Sequence, residues 1–377
     1  MGLSPRQLNR TTLARQLLLQ RERLPVVDAV GHVVALQAQE PPSPYIALWN
    51  RVAGFDPADL DAAFATHEVV KASLMRVTLH AVTAEDYPSF HEAMQPPLRG
   101  SRLYDTRFTS TGLTIADADA LVPHVVGHAT EPRTKQDVET LLAEHLGEPP
   151  QRGVWWALRT FAPLVHAPTG DPWSFGRQAA YIAAPNDGVR EDHEQAVRRL
   201  IRRYLEGFGP ATARDFAQFT ILRQATYGSA VEAMADELVR VEGPDGALLL
   251  DVPGAPILDE DTPAPPRLLP MWDSVLLAYS DRNRVIPEDY RRVVIRRNGD
   301  VLPTMLVDGY VAGVWRPVDG TIEGLAFHPL PRAVWDGLAA EAESLLEMLA
   351  ERDSAVYRRY ARWWSDLTAD ETRTLAG

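Results

Sequence analysis

Residues 194–252 read EQAVRRLIRRYLEGFGPATARDFAQFTILRQATYGSAVEAMADELVRVEGPDGALLLDV. The stretch 194–206 carries its apolar residues on one helical face and stops at Gly207-Phe208-Gly209-Pro210, where glycine ends a helix and proline forbids its return. Thr212 then caps a second helix over 213–221, and a third follows at 227–234. Residues 238–241 and 247–252 flank the turn Gly243-Pro244-Asp245-Gly246 and read as a strand pair. Three helices followed by a hairpin is the plan of a winged helix.

The same order recurs twice upstream. Ser4-Pro5 opens a helix running to about Gln20, with Pro5 at its first position. A second helix starts at Pro25 and carries Val26, Val30, Val33 and Leu36 on helical spacing, and a third covers 43–52. A short helix from Asp56-Pro57 precedes two strand-like runs at 69–74 and 75–82, which form the wing. In the next stretch, 115–128, 135–145 and 154–161 are the helices, and 164–166 with 177–182 supply wing strands. One such pattern would fit any three helices and a hairpin; three in tandem define an architecture.

Past the acidic, proline-rich linker 259–266 the period changes to 2. Residues 291–297 and 301–307 flank Asn298-Gly299, the dipeptide favoured in a type I′ turn. Asp308-Gly309 and Asp319-Gly320 then separate 301–307, 310–316 and 322–327, which makes an antiparallel meander. The expectation is an α+β, helix-rich chain. Three winged-helix units cover 1–112, 113–190 and 191–258, a small antiparallel β-barrel covers 267–330, and amphipathic helices over 333–352 and 355–367 fill 331–377.

Composition narrows the function. The chain has 377 residues, 45% of them hydrophobic, and no cysteine, which excludes disulfide frameworks, thiolate metal sites and thiol nucleophiles. No apolar run is long enough to span a bilayer, and the N-terminus lacks the apolar core of a secretory signal, so no membrane partner and a cytoplasmic location are expected. A net charge of −13 argues against a general polyanion-binding surface, but the charge is uneven. Residues 231–265 hold nine acids against Arg240, while 281–300 hold six arginines against four acids. Only Lys71 and Lys135 are lysines. A GC-rich genome accounts for that usage, though arginine forks also suit phosphates.

The chain lacks G-x-x-x-x-G-K-[ST], G-x-G-x-x-G and G-x-S-x-G, and His91-Glu92 lacks the second histidine of a zincin helix. Its histidines do not pair at metal spacing, so no metal or cofactor is expected. What remains is Leu36-Gln37-Ala38-Gln39-Glu40-Pro41-Pro42. The two prolines push the preceding residues towards extended geometry, so the second helix must end here. On an extended exit, residues two apart face the same way and both amides converge; within a helix they diverge by about 200°. The plain alternative is a solvated polar helix end.

These residues bring the chain to a known family. Arg10-x-x-Leu13-Ala14-Arg15-Gln16, Leu36-Gln37-Ala38-Gln39 and Arg76-Val77-Thr78-Leu79-His80 resemble the winged-helix DNA glycosylases of the AlkZ type, among them the azinomycin-resistance enzyme that unhooks interstrand crosslinks. Leu268-Leu269-Pro270-Met271-Trp272-Asp273, Leu277-Ala278-Tyr279-Ser280-Asp281-Arg282 and Val307-Asp308-Gly309 with Gly313-Val314-Trp315-Arg316 extend the resemblance, in order, along essentially the whole chain. It implies a monofunctional DNA glycosylase whose Gln–apolar–Gln signature is Gln37 and Gln39, and Gln39 in place of aspartate points to the crosslink-acting branch. The implied substrate is double-stranded DNA bearing N7-alkylated purines, including crosslinks from a bifunctional alkylating natural product, removed by a monomer for repair and self-resistance.

An amide pair suits that chemistry. Alkylation at N7 makes the base cationic, so it leaves neutral and a well-placed water matters more than a strong base. Arg76, Thr78 and His80 could line the site behind the dyad, although alternate strand residues equally pack a wing and a lone His80 is often only a hydrogen-bonded core residue. Arg282 is a candidate for substrate phosphate, and Arg296, Arg297 and Asn298 for DNA contacts from a protruding hairpin; surface solvation is the alternative for each arginine. Two other function classes remain open at this level: a non-enzymatic winged-helix DNA-binding transcriptional regulator, and a protein-interaction scaffold. Against the regulator, the third helices over 43–52 and 227–234 are apolar or nearly uncharged and ill-suited to reading a major groove.

Overall fold

The structure is a computed structural model that describes residues 2–147, 152–185, 191–353, 356–365, 367 and 369–377. The stretch first quoted folds in the order read for it. The helix His193–Phe208 is capped by Asp192, and Ala213–Thr220 starts with a reciprocal Thr212–Asp215 capping box. Gln224–Ala233 follows, and β7 (Val239–Glu242) pairs antiparallel with β8 (Leu248–Asp251) in a sheet of its own.

The two upstream hairpins do not stand apart as separate wings. β1 (Leu36–Gln37), β2 (Val69–Ser73), β3 (Leu79–Thr83), β4 (Arg133–Thr134), β5 (Leu164–Ala167) and β6 (Ala180–Ala183) make one six-stranded sheet in the order β1-β3-β2-β5-β6-β4. The joint is the antiparallel pairing of Lys71 with His166. Helices Tyr87–Ala93, Gln95–Leu103 and Thr106–Thr109, which the sequence reading passed over, connect the two halves.

Four expectations need correction. The second helix is Val26–His32, four residues shorter than the apolar spacing suggested. Val34 turns the chain at φ 74°, and pairing of Leu36 with Ala81 and Gln37 with His80 draws both residues into a strand. The segment 291–297 is no strand: Pro287 introduces the helix Glu288–Val294, with Glu288 and Asp289 in the first turn and Arg291 and Arg292 in the last. That charge order complements the helix dipole, and it outweighs a short alternation. Asn298-Gly299 therefore turns inside a single antiparallel bridge, Ile295 to Val301, not between two strands.

The barrel is likewise an open sheet. β9 (Arg267–Leu269), β10 (Thr304–Val307), β11 (Tyr310–Val318), β12 (Thr321–Ala326) and β13 (Glu371–Ala376) lie in the order β13-β12-β11-β10-β9, and the edge strands do not pair. The helix Arg332–Ala350 packs on both β9 and β13, so one face is covered by a helix instead of by closure. The last helix, read over 355–367, reduces to a 3₁₀ turn Arg358–Tyr360 and the short Arg362–Ser365, with residues 355 and 366 outside the described set. The strand β13 was not anticipated.

Two apolar clusters meet at β1. Leu36 and Ala38 belong to the one shared with the C-terminal sheet, whereas Val34 and Ala35 belong to the one shared with the second and third helical stretches. Fully buried Arg51 clamps Asp273 bidentately at 2.8 and 2.9 Å, and Arg15 holds Asp251 at 2.7 and 2.8 Å. Both pairs tie the N-terminal segments to distant ones, and losing one partner of such a pair typically costs about 3–5 kcal/mol.

Candidate active site

Because Leu36 and Ala38 point into the core, the period of 2 along an extended chain sends Gln37 to the other side. The extended exit expected from Pro41-Pro42 holds as far as Ala38, whose N–H donates to the Leu79 carbonyl at 2.8 Å, and gives way to a bend at Gln39 and Glu40. The two amides differ in surroundings. Gln37 is 4% exposed; Gln39 lies in a bend, exposed to solvent and with no partner among the described residues.

Gln37 is held by its carbonyl. Its Oε1 accepts from Arg76 Nη2 at 3.2 Å and from Thr78 Oγ1 at 3.4 Å. A guanidinium only donates, so the amide oxygen must face it and the amide NH2 points away. Arg76 also donates through Nη1 to the Phe219 carbonyl at 2.9 Å, with its guanidinium 5.3 Å from the Phe219 ring centre. Its Nη2 lies 3.2 Å from His80 Nε2. That nitrogen must then be the acceptor, leaving Nδ1–H to donate to the Thr78 carbonyl at 3.0 Å. Burial first, then the Arg76 charge, lowers His80 to about 3, so the ring is neutral at physiological pH.

The backbone that carries Arg76 is unusual. Arg76 and Val77 both sit at positive φ, 55° and 57°, in the tight turn joining β2 to β3. A β-branched residue there is strained, and such strain persists only where the surroundings fix it.

Arg282 joins this cluster from the C-terminal half. It is 8% exposed and donates to the Tyr279 carbonyl; burial, and after it the Arg282 charge, holds the Arg76 guanidinium below its ordinary value. Arg282 is itself lowered by burial and by Arg291. Neither Arg76 nor Arg282 has a carboxylate within ion-pair distance among the described residues; Asp215 acts on Arg282 from further away, and both guanidinium groups stay protonated. Glu40, next to Gln39 in the sequence, is occupied by Arg359 and by Tyr360 Oη at 3.0 Å. Two mutually repelling guanidinium groups without a direct ion pair among the described residues favour an anion beside them.

The remaining DNA candidates scatter. Arg296 stacks on Trp363 with 4.5 Å between guanidinium and ring centre, and Asn298 donates to Asp300 at 2.8 Å. Arg297 is exposed without a partner among the described residues. The contribution of Phe219, from the helix Ala213–Thr220, was not read from the sequence. Nothing local marks a backbone carbonyl that becomes a ligand only through tertiary packing. Among the described residues no group of three metal-ligating side chains occurs, and no helix is long and apolar enough to cross a membrane.

Comparison with known proteins gives the family. The family model described as DNA glycosylase AlkZ-like matches residues 30–348, a span that includes Gln37, Arg76, His80 and Arg282. The chain belongs to the AlkZ-like DNA glycosylase family. It is accordingly an enzyme of the DNA glycosylase class, a hydrolase acting on N-glycosyl bonds. A relative from Streptomyces sahachiroi, named an interstrand DNA cross-link repair glycosylase, is 27% identical over 352 residues, which is 88% of this chain and 92% of that protein. The solved structure of Streptomyces sahachiroi DNA glycosylase AlkZ shares the fold, with a TM-score of 0.78 at 21% identity over 93% of this chain and 98% of that one. The mixed, helix-rich architecture with antiparallel sheets is therefore the AlkZ-like fold.

Proposed function

We propose that this AlkZ-like glycosylase releases N7-alkylated purines from double-stranded DNA, interstrand crosslinks included, using Gln37 and Gln39 to hold the attacking water. The supporting observation is the fixed Gln37 carbonyl: with Oε1 engaged by Arg76 and Thr78, the free function of Gln37 is its NH2. Gln37 then donates to the water, and the exposed Gln39 offers the carbonyl that accepts from it. One lone pair of the water is left for C1′.

As the C1′–N9 bond breaks, its electron pair neutralises the cationic purine and the sugar acquires oxocarbenium character. The water oxygen bonds to C1′, and its surplus proton passes to solvent after cleavage. No base of high pKa is required, which agrees with a neutral His80 and an occupied Glu40. A neutral purine would need protonation that these groups cannot supply, so cationic lesions are selected. Arg76 and Arg282 face the anion that every such substrate carries, the phosphate beside the lesion.

On this reading the helix–helix–helix–hairpin stretches 1–112, 113–190 and 191–258 are winged-helix units, and the protein acts as a monomer in repair of alkylated DNA and in self-resistance. A transcriptional regulator is not favoured, because the family is one of enzymes. Incubation with a duplex containing N7-methylguanine, followed by mass detection, should yield free base and an abasic site. Borohydride should trap no protein–DNA adduct, since Lys71, on the strand paired with β3, is buried with Nζ 4.4 Å from the ring centre of Phe175. A trapped adduct would replace hydrolysis by an amine nucleophile.

A further inference from the structure

The second helical stretch bears a pocket that the reaction above does not use. Its volume is about 430 Å³, and Arg107, Lys135, Arg152, Arg159, Trp155 and Trp156 line it together with Ser110 and Gly153. In a chain of net charge −13 this concentration of cations is conspicuous. Arg107 is matched by Asp105 at 2.9 Å and Lys135 lies 3.5 Å from Glu139, but Arg152 and Arg159 have no carboxylate partner among the described residues.

The cations are also organised. Arg107 and Arg102 stack on Trp156 with 3.8 and 4.5 Å between guanidinium and ring centre, which fixes long side chains before any ligand arrives. Gly153 is required for the wall, because a Cβ there would lie 1.9 Å from the Arg107 carbonyl. A second, independent feature points to a ligand. Trp155 is 2% exposed, and its indole N–H is buried with no acceptor among the described residues. An orphaned buried donor on the wall of a cationic pocket is satisfied by an anionic oxygen.

We propose that this pocket is a phosphate site, with Arg152, Arg159 and Lys135 meeting the phosphate oxygens. The phosphate could be carried by a polynucleotide or by a free nucleotide, and the same chemistry serves both. The helix Gln95–Leu103, which carries Arg102, packs both on the pocket helix Arg152–Phe161 and on the turn holding Arg76, so an occupied pocket lies one helix away from the proposed catalytic site.

The test uses the full-length protein, an undamaged short duplex titrated across a range of salt, and adenosine monophosphate titrated by calorimetry. Variants are R152Q/R159Q, W155F, and R332Q as a charge control, since Arg332 lies outside the pocket on the helix Arg332–Ala350. If the phosphate is on DNA, R152Q/R159Q should lose about tenfold in duplex affinity and its log–log salt slope should fall by about 2. If it is on a free nucleotide, the parent protein should bind adenosine monophosphate and R152Q/R159Q should not, with duplex binding unchanged. W155F should weaken the same ligand as R152Q/R159Q, and R332Q should affect neither. Parent-like binding of both probes by folded R152Q/R159Q and W155F would overturn the proposal.

Discussion

Two regions drew attention for their chemistry, residues 36–80 and residues 281–300, and the fold treats them in opposite ways. In the first, Gln37, Arg76, Thr78 and His80 converge within hydrogen-bond distance on one side of a sheet. In the second, the arginines disperse: Arg282 turns inward towards Arg76, Arg296 lies on Trp363, and Arg297 reaches solvent. The difference lies in what constrains each. Strand pairing converts sequence spacing directly into position, because Gln37 must oppose His80 once β1 joins β3. A run of like charges carries no such rule, and tertiary packing decides where each guanidinium goes.

Removing the strongest link of the first region should have a larger effect than any change in the second. Arg76→Met should lower the single-turnover rate of N7-methylguanine release by about 10²-fold, because Gln37 loses the donor that orients it. Arg76→Lys should not rescue, since one ammonium cannot reach Gln37, His80 and the Phe219 carbonyl as a planar fork does. Loss of DNA affinity with an unchanged rate would instead make Arg76 a phosphate contact only.

The second region should answer unevenly. Arg282→Met should weaken duplex binding by about tenfold and lower the salt slope by about 1, with little change in rate at saturation. Arg297→Gln should weaken binding less, by about two- to threefold, and Asn298→Ala should leave both binding and rate near the parent values, because Asn298 is spent on Asp300. Equal effects of Arg282 and Arg297 would erase the contrast between an inward and an outward arginine.

A pH profile sharpens the same contrast. Neither glutamine titrates and His80 is already neutral, so the rate should be flat between about pH 5 and 8. An inflection near the ordinary histidine value would make His80 a general base. Stability should behave differently. The folded state takes up the His80 proton only near 3, whereas the unfolded chain takes it up near 6.5, so the unfolded form binds more protons between those values. Stability should therefore fall as pH drops through that window, and His80→Gln should flatten the decline in thermal melts.

What the sequence made legible follows the same division. Capping residues at Ser4 and Thr212, and the Asp308-Gly309 and Asp319-Gly320 turns, specify local geometry and were readable at once. The Gln37–Ala38–Gln39 alternation was readable because Pro41-Pro42 imposes an extended exit. The helix Glu288–Val294 was misread because an Asn-Gly turn signal was given more weight than a proline followed by two acids. Sheet closure, the arrival of β13 and the role of the Phe219 carbonyl depend on contacts between residues far apart in the chain, for which no local pattern exists.

The central claim is that one water is held between two glutamines, one buried and anchored, the other exposed. It is tested most directly by single-turnover release of N7-methylguanine from duplex DNA by Gln37→Ala, Gln39→Ala and the double variant, each checked by thermal melt and by duplex affinity. Each single change should cost about 10²–10³ in rate, by analogy with removal of one positioned hydrogen-bonding group, with folding and affinity near the parent values. The double change should cost less than the product of the singles, because both act on the same water. Parent-like base release by a folded double variant would contradict the account and move the active site away from β1.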